Sequence, residues 1–189
     1  QIIGEVPTGL ALRRDGARSG DEIWVSGVLG DAALALANLQ RRVELMPLEA
    51  ASCLPKLRVP QPRVALGLAL RGVASSAIDI SDGLLADLGH ILECSGVGAE
   101  IHFEALPLSE VASRYIEQEA VQNCVLAGGD DYELCFTVPP GRHAEVLSIA
   151  QQIGLPLACI GIIKGTTGLS VLRAGQAMTI KATGFDHFA

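Results

Sequence analysis

The sequence predicts an α+β fold, a mixed α/β arrangement in which helices pack on the faces of a mixed β-sheet. Segments typical of strands and helices alternate along the chain, but without a regular β-α-β repeat, and several strands are spaced as hairpins. The composition favours a folded domain, because 49% of the 189 residues are hydrophobic. Only 4% of the residues are aromatic, so we expect an aliphatic core.

Composition and short patterns argue against several functions. The net charge of −7 disfavours nucleic-acid binding, which needs clustered Lys and Arg. No apolar run reaches the roughly 18–20 residues of a membrane span. The five cysteines form no CxxC pair, so we expect reduced thiols in a cytoplasmic protein. Walker A, GxGxxG, HExxH and GxSxG patterns do not occur, and the four histidines lie too far apart to predict a zinc site.

The first third of the chain predicts two strands and three helices. In order, these are a strand at 1–6, a strand at 23–27, and helices at 32–40, at 48–57 and from Pro62 onward. The second strand is predicted by the run Ile23-Trp24-Val25. Pro62 fits the first turn of a helix. Arg41 and Arg42 follow the first helix, where positive charge is favourable for the helix dipole.

The segment Asp79-Ile80-Ser81-Asp82-Gly83-Leu84 is the most informative part of the sequence. An apolar run leads into it, and Leu84, Leu85, Leu88, Ile91 and Leu92 follow at the spacing of one helix face. This pattern predicts a strand that ends at Asp79 and a helix with Ser81 and Asp82 at its N-cap and first turn. Two interpretations stay open: simple capping of a helix, or a site for Mg²⁺ and phosphate beside exposed helix N–H groups.

A second acidic segment, Gly128-Gly129-Asp130-Asp131-Tyr132-Glu133, precedes a predicted strand. Its two glycines permit a tight backbone and the close approach of a ligand. Its three acids repel one another unless a cation or hydrogen-bond donors offset their charge. The segment is either a solvated turn or a ligand site. The remaining predicted elements are strands at 99–103, 134–138, 157–163 and 169–173 and helices at 109–118 and 141–153, with a turn at 165–168 between the last two strands.

Taken together, these segments resemble the carboxy-terminal domain of the thiamine-monophosphate kinase family. This family belongs to a superfamily of ATP-using enzymes similar to aminoimidazole ribonucleotide synthetase. The resemblance covers essentially all 189 residues in register. Besides the two acidic segments, it rests on Arg14, Gly20-Asp21, Val25-Ser26-Gly27, Gly30-Asp31, Pro62-Arg63, Asp87-Leu88-Gly89-His90 and Gly184-Phe185-Asp186-His187-Phe188.

The resemblance implies transfer of the γ-phosphoryl group of ATP to thiamine monophosphate, which gives thiamine diphosphate. It implies Asp79 and Asp82 as Mg²⁺ ligands, and Arg14 and Ser81 as ATP contacts. Asp130 and Phe185 would bind thiamine monophosphate, although family members often have Glu and Tyr at these positions. The reaction needs positioning and charge stabilisation rather than a protein nucleophile.

The resemblance also implies a domain division. Residues 1–10 would be a strand or linker remaining from an amino-terminal nucleotide-binding domain, and residues 11–189 the carboxy-terminal domain. We therefore expect little or no kinase activity from this chain alone, and a homodimer for the full-length enzyme. The alternatives are an ATP-dependent synthetase of the same superfamily, a non-catalytic module that binds thiamine phosphate, and a purely structural fragment.

Overall fold

One mixed β-sheet organises the part of the chain that the computed structural model describes, residues 4–179. Its seven strands lie in the order β2-β4-β1-β5-β3-β6-β7. The strands are β1 (Glu22–Ser26), β2 (Ser76–Ile80), β3 (Gly98–His102), β4 (Glu133–Val138), β5 (Leu157–Lys164), β6 (Gly168–Arg173) and β7 (Gln176–Ala177). All neighbouring pairs are antiparallel except β3 and β6, which are parallel. The predicted class, a mixed sheet with helices on its faces, is confirmed.

Helices cover the two faces of the sheet unequally. They are α1 (Asp31–Leu39), α2 (Pro47–Arg58), α3 (Val64–Ala69), α4 (Leu84–Ser95), α5 (Glu110–Tyr115), α6 (Glu119–Ala127) and α7 (His143–Ile153). A large aliphatic core joins the first face to α1, α2, α4, α5 and α6. A smaller core on the second face contains Trp24 and Phe136 together with side chains of α3 and α7.

Helix α4 forms as the spacing of its apolar residues predicts. Leu84, Leu85, Leu88, Ile91 and Leu92 are all buried in the larger core. Gly96 ends the helix in the left-handed conformation, with φ 67°, which glycine adopts without steric cost. The helix therefore packs firmly beside β2, and its first residue directly follows the acidic segment 79–83.

The sequence predicts one helix at residues 109–118, and the structure has two helices, α5 and α6, between residues 110 and 127. Helix α5 begins after Ser109, whose side chain accepts a hydrogen bond from the Ala112 N–H, and ends at Tyr115. Helix α6 was not predicted. The signal was present, because Val121, Cys124 and Val125 have helical spacing and all three are buried. The helix predicted at 109–118 is therefore present as α5 but ends earlier, and α6 is an additional helix.

The predicted hairpins are also largely wrong. Strands β5 and β6 are consecutive in sequence, but β3 lies between them and pairs with both. Among the described strands, β6 and β7 are the one consecutive pair that is hydrogen-bonded. The predicted strand at 1–6 is not observed at residues 4–6, which are exposed and belong to no sheet; residues 1–3 lie outside the described part.

Two predictions from composition can be compared with the structure. None of the described helices is long and apolar enough to cross a membrane. All five cysteines are free, and Cys53, Cys124 and Cys135 are buried. The expectation of unpaired thiols, several of them in the core, is therefore confirmed.

Packing of α4 against the sheet gives a first testable prediction. Leu88 is fully buried, so Leu88→Ala should lower the free energy of unfolding by about 2–5 kcal/mol. Leu48→Ala is the control, because Leu48 is 84% exposed and its truncation should cost less than about 0.5 kcal/mol. Urea unfolding followed by circular dichroism measures both values. Similar losses for the two variants would contradict the packing described.

Candidate functional site

The two acidic segments meet at one end of the sheet. Strands β2 and β4 are antiparallel neighbours that pair Ile80 with Glu133, so the end of β2 lies beside the start of β4. Beyond the strands, the Ser81 carbonyl accepts a hydrogen bond from the Asp130 N–H at 2.9 Å. The Ile80 carbonyl accepts one from the Tyr132 N–H at 2.8 Å. We call residues 79–83 and 128–133 the paired turns.

Glycines allow the paired turns to approach so closely. A Cβ atom at Gly129 would lie 2.4 Å from the Ser81 carbonyl oxygen. One at Gly83 would lie 2.6 Å from the carbonyl carbon of Ala127, and Gly83 also has φ +111°, a conformation that other residues rarely adopt. Of the two glycines predicted to permit a tight backbone, Gly128 and Gly129, the second makes its contact with the first paired turn.

The start of α4 differs from the prediction. The helix begins at Leu84 with Gly83 as its N-cap, and no side chain of the N-cap residue forms a capping bond. Instead, Oδ2 of Asp87 accepts hydrogen bonds from the N–H groups of Ser81, Asp82 and Gly83, at 2.9, 3.0 and 3.1 Å. The prediction of Ser81 and Asp82 as N-cap and first-turn residues was wrong, because the glycine places both before the helix.

Asp87 also changes the electrostatics of this turn. Burial raises the pKa of Asp87, and the negative charges of Asp82 and Asp79 raise it further. Both carboxylates therefore lie close enough to Asp87 to act on it. The three N–H groups that were predicted to face phosphate point at the Asp87 carboxylate instead.

A cavity of about 900 Å³ opens beside the paired turns. Its wall is formed by the paired turns, by α1 and α6, and by Arg42, which lies three residues after the end of α1. The lining residues are Ala33, Leu36, Arg42, Ser81, Asp82, Ala120, Asn123, Cys124, Ala127, Gly128, Gly129, Asp130 and Tyr132. Ser81, Asp82 and Asp130 were predicted as ligands from two separate segments, and the structure brings them together here.

The other predicted site residues lie elsewhere. Asp79 is exposed on β2, an edge strand, and does not line the cavity. Arg14 is exposed and its carbonyl accepts a hydrogen bond from Oγ of Ser95, at the far end of α4 from the paired turns. Phe185 lies outside the described residues. Their predicted roles stay predictions.

Asp130 and Tyr132 project from a backbone in an unusual conformation. Both have positive φ, 69° and 50°, in the left-handed region that costs energy for residues other than glycine. The Tyr132 hydroxyl is 3.5 Å from Oδ1 of Asp130, and the negative charge of Asp130 raises the pKa of Tyr132. The two side chains therefore lie side by side at the cavity.

The other two acids of the second turn are used inside the protein. Glu133 is buried and accepts hydrogen bonds from Arg63 and from Ser26. A Cβ atom at Gly27 would lie 2.1 Å from Oε1 of Glu133, so this glycine makes room for the carboxylate. Hydrogen-bond donors thus offset the charge of Glu133, and the carboxylate is not directed at a ligand.

Asp131 connects the second turn to helix α1. Its carboxylate oxygens accept a hydrogen bond from the Gly30 N–H, at 2.9 and 3.1 Å. Gly30 is the N-cap of α1 and has no side chain with which to cap it, so Asp131 caps the helix from a distant part of the sequence. Burial raises the pKa of Asp131 to about 8, and the charges of Asp31 and Glu133 add to the shift.

The residues present are compatible with Mg²⁺, if most of its ligands come from elsewhere. Mg²⁺ in phosphate-transfer sites is commonly bound by one or two carboxylates, while water and substrate phosphates complete its coordination. Asp82 lies at the cavity wall and can supply one such carboxylate, whereas Asp79 is exposed near the end of β2 and does not line the cavity. Between residues 4 and 179, no group of three or more His, Cys, Asp or Glu side chains is placed to hold a metal ion.

Among the cavity residues that were not identified from the sequence, three have polar or ionisable side chains. Asn123 and Cys124 lie on α6, a helix that was not predicted. Arg42 was interpreted only as a charge near the end of α1, which ends at Leu39, and it also lines the cavity. Predicting α6 from Val121, Cys124 and Val125 would have placed Asn123 beside the second acidic segment.

Comparison with known sequences now identifies the family. Residues 18–173 match the family described as AIR synthase related protein, C-terminal domain. This match covers most of the chain, including both paired turns. The chain belongs to this family.

Several named proteins are similar to this chain over all or most of its length. Thiamine-monophosphate kinase of Escherichia coli K12 is 45% identical over 190 residues, which are 100% of this chain and 58% of that protein. The crystal structure of thiamine-monophosphate kinase from Stenotrophomonas maltophilia has 43% identity and a TM-score of 0.81, over 92% of this chain and 56% of that one. A structure of AaThiL complexed with AMPPCP and TMP has 32% identity and a TM-score of 0.73, over 94% and 54%. The chain thus spans somewhat more than half the length of these relatives.

Contact between the paired turns gives a second prediction. Gly129→Ala should lower the free energy of unfolding by about 1–3 kcal/mol, because the new methyl group meets the Ser81 carbonyl. Gly141→Ala is the matched control, since a Cβ atom there meets nothing within 4 Å. Thermal unfolding of both variants tests this. A Gly129→Ala protein as stable as the control would show that the turns are not in contact.

The Asp131 carboxyl gives a third prediction, on pH. Its pKa is raised from an ordinary 3.8 to about 8, so the folded chain keeps a proton that the unfolded chain releases above pH 4. The stability that this carboxyl contributes is therefore complete at low pH and is lost as pH rises toward 8. Asp131→Asn keeps an oxygen for the Gly30 N–H but does not titrate, so it should gain stability relative to the unaltered chain between pH 5 and pH 8.5.

Urea unfolding of the Asp131→Asn variant and of the unaltered chain, each at pH 5 and at pH 8.5, measures this difference in stability. Glu93→Gln, on the exposed side of α4, serves as the control for loss of a carboxylate. An Asp131→Asn effect that is the same at pH 5 and pH 8.5 would contradict a raised pKa in the folded state.

Proposed function

We propose that the complete protein to which this chain belongs transfers the γ-phosphoryl group of ATP to thiamine monophosphate, forming thiamine diphosphate. The observation that carries the proposal is that Ser81, Asp82 and Asp130 line the same cavity. The sequence resemblance assigns these three residues to ATP, Mg²⁺ and thiamine monophosphate, respectively. The names of the relatives support it. So does the complex of AaThiL with AMPPCP and TMP.

The first paired turn would serve the nucleotide and its metal. Asp79 and Asp82 would hold Mg²⁺, which when bound neutralises phosphate charge as the phosphoryl group is transferred. Ser81 would contact ATP with its hydroxyl, because its N–H donates to Asp87. Arg14 belongs to the proposal through the resemblance alone, since it lies at the opposite end of α4 from the cavity.

The second paired turn would bind thiamine monophosphate. This substrate contains a cationic thiazolium ring, and Asp130 supplies a carboxylate at the cavity wall. The left-handed backbone at Asp130 and Tyr132 is maintained by three anchors: Ser81, Gly30 and the Arg63–Glu133 pair. A carboxylate held in this way can meet a cation without reorganising, which is how enzymes stabilise charge efficiently.

Phe185 belongs to the proposal through the resemblance alone, because it lies outside the described residues. In that resemblance its aromatic ring would stack on a ring of thiamine monophosphate.

The chemistry needs no nucleophile from this chain. The acceptor is a phosphate oxygen of thiamine monophosphate, so the protein has to align two phosphates and offset their charge. In this proposal the cavity would supply the Asp82 carboxylate for a metal, the Asp130 carboxylate for a cation and the Ser81 hydroxyl for phosphate. The proposal also includes the predicted domain division, with residues 1–10 as a linker and residues 11–189 as a carboxy-terminal domain. It further includes a homodimer for the complete protein and a cytoplasmic location.

Removal of one metal-binding carboxylate tests the proposal. In the complete protein, Asp82→Asn should lower kcat for thiamine diphosphate formation by at least about 100-fold, because metal and phosphate charge are no longer offset. Its melting temperature should stay close to that of the unaltered protein, since Asp82 is at the cavity wall. Chromatographic detection of thiamine diphosphate as its fluorescent thiochrome derivative measures the rate.

Glu93→Gln is the matched control, because Glu93 is an exposed carboxylate of the neighbouring helix that does not line the cavity. It should leave kcat unchanged. Full activity of Asp82→Asn at low Mg²⁺ concentration would remove this carboxylate from the metal site. Equal loss of folding and activity would mean that its role is structural.

A further inference from the structure

Arg42 and Asn123 are two polar side chains of the cavity wall that lie outside the paired turns. Arg42 is the one cationic side chain among the described residues that line the cavity. Burial raises the pKa of Cys124, and the charge of Arg42 opposes this shift. Arg42 therefore lies near Cys124, the neighbour of Asn123 on α6.

Both side chains keep hydrogen-bonding capacity that described residues do not use. The Nε atom of Arg42 donates to Oε1 of Gln40 at 2.8 Å, and its two terminal amino groups have no hydrogen-bond partner within residues 4–179. The half-buried amide of Asn123 makes no hydrogen bond with any residue of that range. A ligand in the cavity can therefore use an amide donor, an amide acceptor and a guanidinium.

The cavity extends along α6 beyond the paired turns. The turns contact the last part of α6, where Gly83 lies against Ala127 and Gly128 lies against the Cys124 carbonyl. Asn123 is the neighbour of Cys124, and Ala120 lines the cavity one helical turn further, about 6 Å from Cys124 along the helix axis. The cavity therefore has room, beside Asn123, for a part of the substrate that does not contact the paired turns.

The order of groups in thiamine monophosphate matches this layout. If the proposed function is correct, its phosphate lies near Ser81 and Asp82, where ATP and Mg²⁺ would bind, and its thiazolium cation lies near Asp130. The aminopyrimidine ring is at the opposite end of the molecule from the phosphate. Its edge presents an amino donor beside a ring-nitrogen acceptor, which a single amide group can pair with, as Asn does with adenine.

We propose that Asn123 and Arg42 bind the aminopyrimidine ring and so make it a determinant of substrate specificity. Asn123 pairs with the amino group and the adjacent ring nitrogen. Arg42 donates to the ring or stacks on its face, as planar guanidinium groups do. Neither side chain touches the reacting phosphates, so both act on substrate affinity. This inference rests on the proposed function and adds a binding region to it.

Two ligands distinguish recognition of this ring from recognition of the remainder of the substrate. One is thiamine monophosphate. The other is the N-methylated thiazolium phosphate, which keeps the cation and the phosphate but lacks the pyrimidine ring. Isothermal titration calorimetry with the complete protein and Mg²⁺ gives a Kd for each ligand with Arg42→Gln, Asn123→Leu and the control Arg41→Gln, whose exposed side chain does not line the cavity.

We expect Arg42→Gln and Asn123→Leu each to raise the Kd for thiamine monophosphate about tenfold or more, as for loss of one or two ligand hydrogen bonds. Neither should change the Kd for the thiazolium phosphate by more than about twofold, and Arg41→Gln should leave both values unchanged. In steady-state kinetics the two variants should raise KM for thiamine monophosphate while kcat at saturation is preserved.

Equal loss of affinity for both ligands would overturn the inference, because it would place Arg42 and Asn123 near the phosphate or the thiazolium ring. Unchanged affinity for thiamine monophosphate would overturn it as well. Failure of the unaltered protein to bind thiamine monophosphate is a different result, since it would remove the proposed function itself. Having two variants on different elements guards against misfolding of either one.

Discussion

The antiparallel register of β2 with β4 is the constraint on which the candidate site depends. It pairs Ile80 with Glu133 and so places two segments, about fifty residues apart in sequence, against each other. Gly83 and Gly129 let the backbones touch, and hydrogen bonds to the carbonyls of Ile80 and Ser81 lock them together. A slip of one residue in this register would turn every side chain of β2 to the other face and separate Asp82 from Asp130.

Charge compensation is the second feature of the site. Six acidic residues, Asp79, Asp82, Asp87, Asp130, Asp131 and Glu133, lie in or directly beside the paired turns. Asp79 is exposed near the end of β2, and the structure divides the other five into two groups. Asp87, Asp131 and Glu133 accept hydrogen bonds from backbone N–H groups or from Arg63 and Ser26, so they hold the turns in shape. Asp82 and Asp130 line the cavity, where a metal ion or a cationic substrate can offset their charge.

Much of this arrangement could be predicted from the sequence, because it depends on local patterns. The apolar spacing from Leu84 to Leu92 predicts α4, and the two glycine-bearing acidic segments predict turns, for which capping or solvation and ligand binding both stayed open. The capping role was assigned wrongly to Ser81 and Asp82, since the pattern cannot show that Gly83 enters the helix with φ 111° while Asp87 reaches back. The position of β3 between β5 and β6 depends on long-range pairing, which a local turn signal at 165–168 does not reveal. Arg42 and Asn123 were missed because only the packing of α1 against α6 brings them to the cavity.

The most direct test of the account is ³¹P NMR of ATP, Mg²⁺ and thiamine monophosphate with the complete open reading frame, alongside the 189-residue chain alone. The account predicts that the complete protein converts the thiamine monophosphate resonance into the two coupled resonances of thiamine diphosphate, with ADP appearing in equal amount. It predicts little or no conversion by the chain alone. Consumption of ATP without thiamine diphosphate, or no reaction with the complete protein, would contradict the account and favour a synthetase of the same superfamily or a binding module.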